Sequence, residues 1–317
     1  MRKIALEEHF SLPWLPNDIE AMESRLDPGF FAHIHARMGE IGEHRLAEMD
    51  RAGIERMVLS LTAPGAQSAI GADAAIELAR RANDDLAAHI AFAPDRFLGF
   101  AHLPMQSPGA AIRELDRTIG DLGFRGALVN GHTQGRYLDA AEYRPFWARV
   151  QHLGYPIYIH PGDMLGTPAV FEGYPWMKGA SWGWMNETGG HALRLVYGGV
   201  FEEFPGLTVI LGHMGEALPF LLSRLDSRYA VRPGTQRLPL TPSEYIRRNI
   251  MVTTSGVNAH PPLVCSIDSM GADRVMFSVD YPFESSERSA EFLETAPIGE
   301  SVKRAVAYEN AARILKL

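Results

Sequence analysis

The sequence predicts an α/β fold in which eight parallel strands close into a (β/α)8 barrel. Short apolar stretches alternate with amphipathic helical stretches along the whole chain, which is typical of a parallel sheet covered by helices. The alternation repeats eight times without a linker, so the 317 residues are expected to form one domain, 1–317. Histidines and acidic residues directly follow several strands, where barrel enzymes carry their reactive groups. A doubly wound open sheet is the alternative architecture.

The first half of the chain supplies four of the predicted strands. Their apolar residues are bounded by glycine or by polar residues, and helical spacing of apolar residues separates them. An irregular segment rich in proline and aromatic residues, Ser11–Glu40, is expected to lie over one mouth of the barrel. The predicted strands are Lys3–Glu7, Met57–Leu61, Phe97–Ala101 and Gly126–Asn130, and the predicted helices are 45–49, 74–93 and 110–121.

The second half repeats the pattern. A long loop, Pro161–Glu187, carries three tryptophans and is expected to act as a lid or as a subunit interface, with buried aromatic side chains as the alternative. A second loop, rich in proline, precedes residue 250. The predicted strands are Pro156–His160, Thr208–Leu211, Ile250–Thr254 and Arg274–Val279, and the predicted helices are 140–152, 191–204, 217–228, 262–270 and 290–315.

Composition excludes several classes of protein. A hydrophobic content of 46% is that of a folded globular protein, and a net charge of -8 provides no basic surface for nucleic acid or an anionic membrane. A small molecule is therefore the expected partner. No stretch approaches the roughly 18 apolar residues of a transmembrane helix. The single cysteine, Cys265, excludes an internal disulfide framework and fits a reducing compartment, so a cytoplasmic location is expected.

Glu7 and His9 lie at the end of the first predicted strand. Side chains alternate along an extended segment, so this pair is expected on one face, with Ile4, Leu6 and Glu8 on the other. A carboxylate oxygen and a neutral imidazole nitrogen are good ligands for Zn²⁺ or Mn²⁺. A solvated polar strand end is the alternative for this pair considered alone.

Three other predicted strands also end in such residues. His160 ends the fifth strand, His213 follows the sixth and Asp280 follows the eighth. Any one of them could be a surface histidine or a helix-capping aspartate, but together they indicate a metal centre, since each polar group follows an apolar run. Glu7, His9, His160 and Asp280 are the expected ligands of one divalent cation, Zn²⁺ or Mn²⁺, whose charge their two carboxylates would neutralise. Two imidazoles argue against Mg²⁺.

His213 is expected to be a neighbour of the ion and not a ligand. Glu216, one helical turn later, can orient its imidazole, which would then bond Asp280 or the substrate. Asn130 ends the fourth strand, where two-metal barrel hydrolases commonly carry a carbamylated lysine. The chain has only four lysines, none of them at the carboxyl end of a predicted strand, so one ion is expected and Schiff-base chemistry is not.

Several sequence blocks carry a family resemblance. They are ALEEHF at 5–10, LGFRGALVNG at 122–131, PIYIHP at 156–161, VILGHMGEALPF at 209–220 and ADRVMFSVDYPFE at 272–284. The chain resembles the non-oxidative aromatic acid decarboxylase branch of the amidohydrolase superfamily, which includes γ-resorcylate (2,6-dihydroxybenzoate) and 2,3-dihydroxybenzoate decarboxylases. The resemblance implies an amidohydrolase-like TIM barrel, one divalent ion, and conversion of a hydroxybenzoate to a phenol and CO₂.

Site residues carried over by this resemblance agree with those found from the strand ends. The resemblance implies metal ligands at Glu7, His9, His160 and Asp280, a supporting pair at His213 and Glu216, and substrate contacts at Arg224, Asn130 and Phe283. A helix-surface arginine is the alternative for Arg224. Because members of this branch self-associate, a homodimer or homotetramer is expected.

The expected reaction begins with a hydroxybenzoate bound to the ion through its carboxylate and its ortho oxygen. Asp280 would then protonate the ring carbon that bears the carboxylate, while Arg224 holds the substrate from outside. A metal-dependent hydrolase of an amide or lactone is the alternative enzyme, because the same scaffold can activate water. A barrel that only binds or assembles is the non-enzymatic alternative.

Overall fold

Eight parallel strands form the centre of the structure, a computed structural model that describes residues 1–15, 26–232 and 238–317. We number them in chain order, and the third strand has two parts separated by Phe100. The strands are β1 (Lys3–Phe10), β2 (Ile54–Leu61), β3 (Phe97–Gly99 and Ala101–His102), β4 (Ala127–Asn130), β5 (Ile157–His160), β6 (Val209–Leu211), β7 (Ile250–Thr253) and β8 (Val275–Met276).

Backbone hydrogen bonds join these strands into a ring. Within β3, Phe100 N donates to Leu59 O of β2 (3.0 Å), whereas Ala101 N donates to Gly126 O just before β4 (2.9 Å). The ladder then runs in chain order from β4 to β8. On the other side of β1, a parallel bridge pairs Glu8 with Tyr281, beyond β8. The predicted (β/α)8 barrel is therefore confirmed.

Every strand contributes a side chain to the interior of the ring. Alternate residues of a strand point to one face, so each short strand places one or two apolar residues inside. Two residues of the last helix belong to the same cluster and pack against this interior. The cluster consists of Ile4, Leu6, Val58, Leu98, Phe100, Leu128, Tyr158, Ile210, Met251, Met276, Ala311 and Leu315.

Helices cover the outside of the ring, and a second apolar cluster includes outward residues of the strands and buried residues of the helices. None of the helices in the described part of the chain is both long and apolar enough to cross a membrane. The α-helices are Pro28–Met38, Glu43–Ala52, Ala72–Phe92, Pro108–Gly120, Arg144–Leu153, Gly183–Tyr197, Val200–Glu203, Leu218–Tyr229, Pro242–Asn249, His260–Met270, Ser286–Glu294, Glu300–Arg304 and Asn310–Leu315, with a π-helical segment at Ala305–Glu309.

The expectation that Ser11–Glu40 is irregular was wrong for its second half. A helix occupies Pro28–Met38, and the Asp27 carboxylate accepts hydrogen bonds from two backbone N–H groups of its first turn. Proline at the first helical position and aspartate before it are ordinary start signals. The aromatic residues obscured this pattern, and residues 16–25 lie outside the described residues.

One further helix prediction was wrong at its boundaries, and one helix was not predicted. The helix predicted over 191–204 begins at Gly183 and ends at Tyr197, and Gly199, with φ of +75°, precedes the separate helix Val200–Glu203. Pro242–Asn249 was not predicted, although Thr241 and Glu244 form a capping box at its start. Residues 233–237 of the proline-rich loop lie outside the described residues.

The last strand is shorter than predicted. Its ladder ends at Met276 and not at Val279, because Phe277 N donates to Val306 O of the π-helical segment (2.8 Å) instead of to a neighbouring strand. The next residue, Ser278, contacts the segment that follows β7: its backbone N donates to the side chain of Thr254 (Oγ1, 3.0 Å). A side-chain contact and isolated backbone hydrogen bonds, such as Gly256 N to Val279 O (3.3 Å), therefore replace the regular ladder where the chain approaches Asp280.

Replacing Phe100 by alanine should destabilise the protein. Its ring is 1% exposed inside the barrel, so the cavity should lower the free energy of unfolding by about 3–5 kcal/mol. Phe220→Ala is the matched control, because Phe220 is 79% exposed; its effect should stay within about 0.5 kcal/mol. Urea unfolding measures both, and equal effects would contradict the assignment of Phe100 to the barrel interior.

Candidate metal centre

Four polar side chains converge at the carboxyl ends of the strands. His9 Nε2 of β1 lies 3.3 Å from Asp280 Oδ1, and His160 Nε2 of β5 lies 3.4 Å from Glu7 Oε1. Potential ligand atoms of Glu7, His9 and His160 all lie within 4.8 Å of one another, as do those of Glu7, His213 and Asp280. The structure thus brings together the four residues that the sequence suggested as ligands, and their binding of a metal stays a prediction.

The first strand does not alternate as simply as predicted. Glu7 and His9 do face the same cluster, but its pairing with β2 shifts register between Ala5 and Glu8. Leu6 lies in the interior cluster with Tyr158, and the Tyr158 hydroxyl donates a hydrogen bond to Glu7 Oε2. The expectation that Ile4 and Leu6 lie on the face opposite Glu7 was therefore wrong, because an irregularity in the ladder interrupts the twofold period.

Unpaired polar atoms make this cluster suitable for a cation. Glu7 Oε1 and both ring nitrogens of His9 are buried and have no hydrogen-bond partner among the described residues. Burying such groups without a partner is costly. His160 Nδ1 lies 3.0 Å from Pro161 O, which suits a tautomer whose Nε2 lone pair is free to bind a metal. Two carboxylates and two imidazoles form a donor set that fits a divalent transition-metal ion.

The second oxygen of Glu7 is held by a network that the sequence analysis did not find. Tyr158 and Ser255 both donate hydrogen bonds to Glu7 Oε2. Thr253 Oγ1 lies 2.8 Å from the Tyr158 hydroxyl and 3.0 Å from Ser255 Oγ, so it joins the two donors. These groups leave only Oε1 for a metal and fix its orientation. All three residues lie in or next to β5 and β7, but their hydroxyls gave no pattern that points to chemistry.

His213 begins a left-handed turn. Positive φ values run without interruption from His213 (49°) through Ala217 (62°), a conformation that costs about 1–2 kcal/mol for each non-glycine residue. The turn places His213 Nδ1 2.7 Å from Glu216 Oε1, and His213 Nε2 3.8 Å from both Glu7 Oε1 and Asp280 Oδ2. Glu216 therefore contacts His213, although through a left-handed turn instead of the predicted helical one.

Charges in the cluster shift the pKa values of its members. Burial holds the pKa of His160 well below its usual range, which keeps a neutral imidazole available as a ligand. Burial alone would raise the pKa of Asp280, but the imidazoles of His213 and His9 outweigh it and hold that pKa below its usual range. Burial would likewise lower the pKa of His213, but the carboxylates of Glu216 and Glu7 raise it well above the usual value.

The expected substrate contacts differ in their positions. Asn130 pairs with His160 across β4 and β5, and its side-chain amide is buried without a partner among the described residues. The Phe283 ring lies edge-to-face against His9, with 5.8 Å between ring centroids. Arg224 is exposed on the helix Leu218–Tyr229, and within the described residues no hydrogen bond or ion pair joins its guanidinium to the cluster. All three roles stay predictions.

Glu187 is a buried carboxyl group that the sequence analysis placed only as the end of a loop. A Cβ on Gly131 would lie 3.2 Å from Glu187 Oε2, so this carboxyl lies beside the backbone that follows Asn130. Neither of its oxygens has a hydrogen-bond partner among the described residues. Burial raises the pKa of Glu187 to about 8, although the Tyr137 hydroxyl and the Gly162 N–H act to lower it.

Replacing Gly212 by alanine should weaken metal binding. The added Cβ would lie 2.6 Å from Glu7 Oε2 and 3.0 Å from Ser255 Oγ, so Glu7 would have to move. Gly212 has φ of -70°, so the backbone accepts alanine and the effect comes from the Cβ. The Kd for Mn²⁺ should rise about 10- to 100-fold.

Gly120→Ala is the control for this substitution, because a Cβ there has nothing within 4 Å. Its Kd for Mn²⁺ should equal that of the wild type. An unchanged Kd in Gly212→Ala would show that the position of Glu7 does not determine metal affinity.

Known proteins resemble the chain over its whole length. A sequence model of the family described as amidohydrolase matches residues 30–317. Gamma-resorcylate decarboxylase of Rhodococcus jostii (strain RHA1) is 43% identical over an alignment of 332 positions, which covers 99% of this chain and 98% of that protein.

Solved structures show the same likeness. The crystal structure of 2,6-dihydroxybenzoate decarboxylase complexed with 2,6-dihydroxybenzoate has a TM-score of 0.95 and 41% identity, and covers 100% of both chains. A dihydroxybenzoic acid decarboxylase from Polaromonas sp. JS666, crystallised with manganese and the inhibitor 2-nitroresorcinol, has a TM-score of 0.92 and 41% identity over 99% of this chain and 97% of that one. The chain therefore belongs to the amidohydrolase family, in the branch that contains the decarboxylases.

Proposed function

We propose that this protein is a metal-dependent carboxy-lyase that removes CO₂ from a hydroxybenzoate without oxidation and releases a phenol. The observation that carries the proposal is the cluster of Glu7, His9, His160 and Asp280, in which Glu7 Oε1 and both ring nitrogens of His9 are buried without a hydrogen-bond partner among the described residues. The likeness to decarboxylases of dihydroxybenzoates supports this substrate class. A substrate with hydroxyl groups like those of 2,6- or 2,3-dihydroxybenzoate is the first choice.

Glu7, His9, His160 and Asp280 would hold one divalent cation, Mn²⁺ or Zn²⁺. Support for Mn²⁺ comes from the manganese bound by the Polaromonas relative, and two imidazoles with two carboxylates suit either ion. When bound, the cation supplies positive charge that attracts the substrate carboxylate and the neighbouring phenolic oxygen.

Residues of the chain would then position the substrate and move one proton. Asp280 is ionised before the substrate binds because, despite its burial, the imidazoles of His213 and His9 hold its pKa below the usual range. The negative charge of the bound substrate would favour protonation of Asp280, and this proton would pass to the ring carbon bearing the carboxylate. His213 lies 3.8 Å from Asp280 Oδ2 and is itself held by Glu216, so this pair fixes the surroundings of the acid. Asn130 offers an unpaired amide and Phe283 an aromatic edge to the substrate, and Arg224 would bind it from outside.

The reaction balances without a further reagent. A C–H bond forms at the ring carbon with the proton from Asp280, and the bond from that carbon to the carboxylate then breaks. The electron pair of this bond returns to the ring and restores its aromaticity, while the carboxylate leaves as CO₂. Water returns a proton to Asp280 for the next turnover.

Self-association as a homodimer or homotetramer is part of the proposal. Tyr174, Trp176 and Trp182 lie on the segment between β5 and the helix that begins at Gly183, and they are 53%, 67% and 49% exposed. Apolar surface of this kind marks contact sites. A second subunit would cover these rings, whereas a lid would carry them over the mouth of the barrel.

A panel of hydroxybenzoates tests the activity. The protein loaded with Mn²⁺ or Zn²⁺ should release CO₂ and form the corresponding phenol from 2,6- or 2,3-dihydroxybenzoate. A chelator should abolish this activity and added Mn²⁺ or Zn²⁺ should restore it, since the cation is required to hold the substrate. Hydrolysis of lactones or amides without CO₂ release would contradict the proposal and favour the hydrolase alternative.

Asp280→Asn tests the proton donor. An amide cannot transfer this proton, so kcat for CO₂ release should fall about 10²- to 10⁴-fold. Metal content is measured in the same samples, to separate lost chemistry from lost metal. Asp268→Asn, at an exposed position on the helix His260–Met270, is the control and should keep wild-type kcat. Wild-type kcat in metal-loaded Asp280→Asn would exclude Asp280 as the acid.

A further inference from the structure

The first and last strands of the barrel meet without a regular hydrogen-bonded ladder. The contacts between β1 and residues 278–281, here called the β1–β8 seam, include one isolated bridge and two backbone hydrogen bonds. His9 N donates to Tyr281 O (2.7 Å), and Asp280 N donates to Glu7 O (3.1 Å). Three of the four expected metal ligands, Glu7, His9 and Asp280, lie on this seam. Their separation therefore depends on whatever fixes it.

Glu8 crosses the seam with a fully buried carboxylate. Its Oε1 accepts hydrogen bonds from Ser278 Oγ (2.9 Å) and Val279 N (2.9 Å), and its Oε2 accepts one from Tyr281 N (3.2 Å). Both oxygens of Glu8 therefore accept hydrogen bonds from donors on the far side of the seam. Val279 and Tyr281 flank Asp280, so Glu8 binds the backbone on both sides of that ligand.

Ser278, which lies beyond β8, contacts both the Glu8 carboxylate and the backbone of β1. Its hydroxyl donates to Glu8 and accepts hydrogen bonds from Glu7 N (2.6 Å) and Leu6 N (3.2 Å). These two N–H groups belong to the part of β1 where its pairing with β2 shifts register. The hydroxyl therefore accepts hydrogen bonds from two backbone N–H groups at the irregularity of β1. One of them belongs to Glu7, so Ser278 also positions the backbone of this expected ligand.

Arg45 contacts both sides of the seam. Its Nη2 donates to His9 O (2.9 Å), and its guanidinium carbon lies 4.5 Å from the centre of the Tyr281 ring. The arginine is fully buried. Each ligand on the seam is thus held through its own backbone or through a residue next to it.

We propose that Glu8 is a positioning residue for the metal centre, which sets the distance between Glu7 and His9 on β1 and Asp280 beyond β8. The inference rests on the proposed metal centre but assigns a role to a residue outside the ligand set. Glu8 acts through the backbone of Val279 and Tyr281 and through Ser278, and both oxygens of its carboxylate accept hydrogen bonds in these contacts.

Glu8→Gln tests the proposal with little change in size. A glutamine presents an amide N–H₂ where the carboxylate accepted hydrogen bonds, so at least one contact on the seam is lost. The Kd for Mn²⁺, measured from the electron paramagnetic resonance signal of the free ion, should rise about 10- to 100-fold. The visible absorption bands of the Co²⁺-loaded variant should shift, because the ligand geometry changes.

Glu114→Gln is the matched control. Glu114 is also buried, but its carboxylate binds Asn83 and Arg117 on the helices Ala72–Phe92 and Pro108–Gly120. Its Kd for Mn²⁺ and its Co²⁺ spectrum should equal those of the wild type even where its unfolding midpoint falls. An equal rise in Kd in both variants would mean general destabilisation and would overturn the proposal.

Ser278→Ala is the second variant, for the case that Glu8→Gln does not fold. It removes the hydroxyl that joins Glu8 to Glu7 N, so the Kd for Mn²⁺ should rise and the Co²⁺ spectrum should shift. Ser289→Ala, at a buried serine with no side-chain partner among the described residues, should change neither. A wild-type Kd and spectrum in folded Glu8→Gln, or in Ser278→Ala where that variant alone folds, overturns the role of the seam. A wild-type protein that binds neither ion overturns the metal centre itself.

Discussion

Unpaired polar atoms buried at the mouth of the barrel are the constraint on which the rest of the site depends. Glu7 Oε1 and the two nitrogens of His9 are buried and have no hydrogen-bond partner among the described residues. A cation would satisfy them, and it would also draw together the carboxylates that now repel one another. The surrounding structure holds these groups in place: Tyr158 and Ser255 bind the other oxygen of Glu7, and Gly212 leaves room for it.

Backbone strain is concentrated around this site, and the regular strand ladder ends beside it. Five consecutive residues from His213 have positive φ, and Asp280 has φ of 76°. The ladder of β8 stops early, and the seam beside it is held by Glu8 and Ser278. Such costs persist only where the surrounding structure enforces them, and they are common at functional sites. Here the strained backbone directs the imidazole of His213 and the carboxylate of Asp280 toward each other, with 3.8 Å between Nε2 and Oδ2.

The sequence predicted the barrel and the strand ends because these depend on local patterns. Apolar runs such as those of β5 and β6 are short and bounded, and the polar residue after each one is visible in the printed sequence. Starts of helices were also visible in principle: Asp27 with Pro28, and Thr241 with Glu244, are ordinary capping patterns that were overlooked among aromatic residues and prolines.

Other features depend on contacts between distant segments and leave no periodic pattern. Tyr158, Thr253 and Ser255 have a common role only once β5 and β7 stand beside Glu7. The left-handed turn at His213 has a sequence, HMGE, that also fits a right-handed helix. The register shift in β1 breaks an alternation that its residues alone would predict, which is why Leu6 was placed on the wrong face.

The central claim is that four residues remote in sequence hold one cation. Its most direct test is an anomalous difference map from crystals grown with Mn²⁺, recorded on both sides of the manganese absorption edge. We expect a single anomalous peak in each chain, bounded by Glu7, His9, His160 and Asp280. Two peaks at the mouth of the barrel, or a peak elsewhere with these side chains left empty, would contradict it.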